Sequence, residues 1–134
     1  MDESNLPLLV KLSRTSLTIV DPLGDVRSRL VCSADVERFG IVADLIIDRR
    51  AKTIRLLVAQ ADELDGIRQH LVLIPAEAVD RIDEDHVFVD CPHRVITSAP
   101  TYNPHLVLVD LYLREVFEHF GFQWPNTLRT QSPR

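Results

Sequence analysis

Apolar side chains recur at alternate positions from Ile41 to Ile47 and again from Ile54 to Val58, with the charged stretch Asp48 to Lys52 between the two runs. Period two is the signature of an extended strand, so Gly40 to Val58 predicts a β-hairpin. Ile41, Ala43, Leu45 and Ile47 fall on one face and Val42, Asp44, Ile46 and Asp48 on the other. On the return, Ile54, Leu56 and Val58 lie opposite Arg55 and Leu57. Both faces stay apolar near the centre, which places the pair inside a sheet covered on both sides rather than at a solvated edge.

The flanking pattern predicts further short strands. Leu6 to Val20 mixes apolar and hydroxyl residues without a clean period and reads as an arm packed on the domain, ended by the turn Asp21-Pro-Leu-Gly24. A strand is expected from Asp25, with Val26, Ser28, Leu30 and Cys32 on one face, then a connection Ser33 to Arg38. Gly40 marks a bulge or a close backbone approach. After the polar loop Ala61 to Gly66, a strand runs from His70 to Ile74 and stops at Pro75, which has no N–H for a ladder. A single helical turn from Pro75 to Val79, a strand Val79 to Ile82, the acidic turn Asp83 to Asp85 and a strand His86 to Cys91 follow. Such regular spacing predicts a small barrel or sandwich of mostly antiparallel strands.

Period three to four takes over near the C-terminus. Asn103 suits an N-cap and Pro104 a first helical position, so a helix is expected from there to about Phe120. Gly121 suits the left-handed stop, with Phe122 folding back on Phe117. Leu106, Val109, Leu113, Phe117 and Phe120 form the stripe expected on the sheet. Leu108 and Tyr112 lie on a second apolar face that needs other cover. The tail from Asn126 is polar.

Length and charge narrow the function. A chain of 134 residues, 46% hydrophobic, is one domain with a sizeable core. A net charge of −5 opposes non-specific binding to phosphate backbones, so nucleic acid is not an expected partner. The acidic start Met-Asp-Glu-Ser-Asn lacks the features of a signal peptide, and no run approaches the ~20 apolar residues that span a bilayer. A cytoplasmic protein is the expectation, with Cys32 and Cys91 as buried free thiols.

Candidate chemistry adds little. His86, Cys91 and His93 cluster in sequence, as zinc ligands do, but strand parity points His86 and Cys91 to opposite faces. Asp80, Asp83, Glu84 and Asp85 lack the alternation and central Gly of a calcium loop and read as a solvated turn. No nucleophile elbow, phosphate loop or dinucleotide fingerprint occurs, so no catalytic, cofactor or metal residues are assigned. The aromatic group Tyr112, Phe117, Phe120, Phe122 and Trp124 is the strongest sign of an interface, though such a group is more often core.

Several segments in order carry a resemblance: Asp25-Val-Arg-Ser-Arg-Leu-Val31, Phe39 to Asp48, Ile54 to Val58, the strand ending Leu-Ile-Pro at Pro75, Ala78 to Asp83, and Ala99-Pro-Thr-Tyr-Asn-Pro104. Together they resemble the PRC-barrel domain, over roughly residues 8 to 125. The resemblance implies a mainly β fold, a small PRC-type β-barrel with a C-terminal α-helix, divided as an arm 1–24, a barrel 25–104 and a helix with polar tail 105–134. Ser28 and Val36 stand where that pattern commonly has Gly, which implies altered turns. The family supplies no catalytic residues. It implies a non-enzymatic interaction or assembly module and names no partner. The second apolar face of the C-terminal helix and the aromatic group add self-association as a homodimer as the expectation, with Leu108, Tyr112, Phe122 and Trp124 as the partner surface and cover of that face by the arm, residues 6–20, within one chain as the alternative. An accessory component of a membrane electron-transfer complex, similar to the reaction centre H subunit, and a ribosome-assembly adaptor are the alternatives, with a small enzyme last.

Overall fold

The structure is a computed structural model, and it describes residues 9–14, 25–50, 53–62, 70–106 and 108–123. The strands are β1 (Leu9–Lys11), β2 (Leu30–Cys32), β3 (Arg38–Asp48), β4 (Thr53–Ala61), β5 (Leu71–Pro75), β6 (Val79–Ile82) and β7 (His86–Val89). Two helices, α1 (His93–Thr97) and α2 (Asp110–His119), and 3-10 turns at Leu12–Arg14 and Ala76–Ala78 complete the described elements.

The predicted hairpin is the spine. β3 pairs antiparallel with β4 along most of its length, and the sheet runs β5-β4-β3-β2-β7-β6 with β1 added on β3. β3 and β4 therefore each have strand neighbours on both edges, and both of their apolar faces are covered, each by its own cluster of buried side chains. The edge of β3 away from β4 is shared: β2 takes its first half, Gly40 to Ile41 and Arg38, and β1 takes Ile46 to Asp48. Between them the Asp44 carboxylate accepts the Ser13 N–H at 3.2 Å, the Ser13 hydroxyl at 2.5 Å and the Leu45 N–H at 2.8 Å, fastening the arm to the spine.

The strict alternation read from the sequence breaks at two register shifts, between Val42 and Asp44 and between Ile46 and Ile47. An extra residue in a ladder flips every later side chain to the opposite face. Val42 thus shares one core with Leu45 and Ile47, while Ile46 turns to the other. On β4, Ile54 and Leu57 join the first core and Leu56 and Val58 the second. Gly40 is fixed by close approach, because a Cβ there would lie 1.8 Å from the Gln60 carbonyl oxygen.

The sheet is not a closed barrel, and this corrects the expected mainly β, PRC-type architecture. β5 and β6 end the strand path, and no ladder joins them among the described residues. Two local causes are visible. Pro75 and the 3-10 turn after it carry the chain off β5, and β6 then folds back on β7. The outer edge of β5 is taken by the 101–102 segment, where Thr101 bridges Val72 and the Tyr102 N–H donates to the Leu71 carbonyl at 2.8 Å. The ladders are also mixed, since β2 runs parallel to β7. Among the described residues the protein is mixed α/β: an open seven-stranded sheet with two helices.

Other expectations fare unevenly. The strand expected from Asp25 starts only at Leu30, because the chain from Asp25 to Arg29 is turn, with the Ser28 N–H on the Val42 carbonyl. Ser28 (φ 76°) and Val36 (φ 61°) both hold the left-handed conformation that glycine favours. Val36 sits 80% exposed in the β2–β3 turn, where its N–H donates to Ser33 O at 3.0 Å. Helix α1 was not expected at all. Cys32 is buried, Cys91 only half-buried, and both are free thiols. The loop centred on Gly66 and most of the arm beyond Arg14 lie outside the described residues.

Each face of the sheet has its own core. Val31, Leu45, Leu57, Ile74 and Val87 pack on one side with Leu12, Val26 and Ile96 of α1. Ile46, Leu56, Val58 and Leu73 pack on the other with Leu9, Tyr102 and the buried side of α2, Leu113, Val116 and Phe117.

Candidate apolar docking cleft

The approach to α2 is shaped by a turn where a helix was expected. Asn103 accepts the His105 N–H on its side-chain oxygen at 2.9 Å, and its carbonyl accepts the Leu106 N–H at 3.1 Å. Asn followed by Pro favours such a turn, because the Asn side chain closes on its own backbone and Pro presets φ. The helix therefore begins six residues later than a cap at Asn103 would start it, at Asp110. Val109 is the N-cap, extended at φ −118° and ψ 153°, and no side chain caps the helix there. The far end follows expectation: the Phe122 N–H donates to Phe117 O at 2.8 Å and Gly121, at φ 90°, donates to Glu118 O at 3.0 Å, the two bonds of a Schellman stop.

With residues 103–106 and 108–109 outside any helix, a cleft of about 210 Å³ opens beside the first turn of α2. Tyr102, which is almost fully buried, Leu106, Leu108, Val109 and Tyr112 line it with Thr101 and Asn103. The Tyr112 hydroxyl donates to the Thr101 carbonyl at 3.2 Å. Burial, with Tyr102 and Glu115 nearby, holds its pKa well above the ordinary tyrosine value, so the phenol stays neutral. Two of the lining side chains are open to solvent, Leu106 at 66% and Val109 at 47%, and Leu111 on the first turn of α2, which does not line the cleft, is 76% exposed.

Of the expected interface residues, Leu108 and Tyr112 are brought together in the cleft, both half-buried against the second core. Phe122 lies at the opposite end of α2, where it closes the helix stop. Trp124 lies outside the described residues. Leu106 and Val109 were expected on the buried stripe of a longer helix, and instead they are exposed. The Asn103-Pro104 pair was the signal available in the sequence, since that dipeptide also marks a turn.

Polar clusters elsewhere are occupied within the fold. Asp25 takes Arg27 at 2.6 Å, which holds its carboxyl below the usual range, and Arg29 donates to the Asp83 carbonyl at 2.9 Å. Ser98 and His119 lie 3.3 Å apart, the spacing of a nucleophile and its base. Here, however, the same ring nitrogen lies 2.8 Å from the Val95 carbonyl, which needs that nitrogen to carry the proton. The pair ties α1 to α2 and leaves no base facing Ser98. The Cys91 thiol is pushed up to about 11 by burial and by Asp90 and Asp35, which suits an inert thiol rather than a nucleophile. Among the described residues no group of three His, Cys, Asp or Glu is placed to hold a metal ion.

Compared with known proteins, the chain matches no family model and no curated sequence, so the PRC-barrel resemblance has no support there either. No helix among the described residues is long and apolar enough to cross a membrane.

Proposed function

We propose that this chain is a non-enzymatic protein-interaction module that binds a second copy of itself through the cleft beside α2. The observation that carries the reading is the uncharged apolar hollow lined by Leu106, Leu108, Val109 and Tyr112, with Leu106 and Val109 exposed there and Leu111 exposed on the adjoining first turn of α2. Fully burying one such side chain contributes about 1.5–3 kcal/mol, so contact with an apolar partner recovers free energy that the isolated chain forgoes. The sheet edges support this choice of surface by being poor alternatives. β5 is covered at Thr101 and Tyr102, and β6 is four residues long, carries Asp80 and Arg81 and has a register shift. A two-fold pair is the simplest assembly that satisfies one self-complementary patch.

The test replaces Leu106 and Leu111 together by Ser and compares sedimentation velocity with the unmodified chain. Both side chains are exposed, so the melting temperature should hold while the dimer dissociates. An unmodified chain that stays monomeric at about 100 μM, well above the concentration at which a micromolar dimer forms, overturns the reading. So does a double variant that associates as before.

A further inference from the structure

We draw no further inference here: the strongest candidate, the depression between the Asp25 to Leu30 turn and the β6–β7 hairpin, carries nothing because its basic groups are engaged within the fold, Arg27 by Asp25, Arg29 by the Asp83 carbonyl and His86 by the Asp83 carboxylate, and the acidic residues Glu84 and Asp85 make no site by themselves.

Discussion

Val109 lets the folding and association roles of one residue be separated, because a single change should move them in opposite directions. It is the N-cap of α2, already extended as a cap must be, yet its side chain offers no oxygen to the free N–H groups of the first turn. Val109→Asp supplies one. A good N-cap is worth about 1 kcal/mol over an apolar residue, and a carboxylate at the helix N-terminus adds about 0.3–1 kcal/mol. Asp110 next to it offsets part of the second contribution. Since Val109 is 47% exposed, little packing is lost, and the net expectation is about 1 kcal/mol of added stability. For a chain of this size that is a rise of about 3–5 °C in Tm. Association should respond the other way, because the same change puts a charge into an apolar contact. A penalty of only about 1.4 kcal/mol weakens the dimer tenfold. Thermal melts at low concentration and sedimentation at high concentration read the two effects separately. A lower Tm would mean that the helix does not begin at Asp110. An unchanged dimer would mean that the cleft mouth is not the interface.

Two further predictions concern the fold. Val36→Gly should stabilise: the left-handed backbone costs a β-branched residue about 1–2 kcal/mol, glycine's extra entropy takes back about 0.5–1 kcal/mol, and an exposed side chain loses no packing. A rise of a few degrees in Tm is expected, and a fall would show that the β2–β3 turn is not left-handed at Val36. Stability should also fall in acid. Asp25, held low chiefly by Arg27, Asp35, held low chiefly by the Ser33 hydroxyl, and Asp83, held low chiefly by the Asp85 N–H, all have depressed folded values. Their contribution is present above the unfolded carboxylate pKa of about 4 and is lost as pH drops through the folded values. Melts from pH 7 to pH 3 should show Tm declining below about pH 4, less steeply in Asp25→Asn, and a flat profile would contradict the pairing.

What could be read from the sequence was local. The β3–β4 hairpin, the break at Pro75, the single turn before Val79 and the Gly121 stop each follow from side chains near in sequence, and each occurs where expected. What failed depended on contacts between distant residues. The two register shifts in the β3–β4 ladder reassign Val42 and Ile54, and nothing in their own alternation announces that. Closure of the sheet hinged on the outer edge of β5, which Thr101 and Tyr102 reach from about thirty residues away along the chain. Segment likeness could not see that competition, and so the barrel it implied does not form. The candidate site was half legible. Leu108 and Tyr112 stood out as surplus apolar residues, but their setting depends on Asn103 and Pro104 making a turn instead of starting a helix. That choice moved Leu106 and Val109 from presumed core to surface.

The central claim, self-association through the cleft, is tested most directly by recording backbone amide NMR spectra of the unmodified chain through a dilution series. The account predicts concentration-dependent shifts concentrated on Thr101 to Tyr112, with the far edge at β6 and the β6–β7 turn unmoved. Spectra that do not change on dilution while relaxation reports a monomer, or shifts centred on β6 and β7, would contradict it.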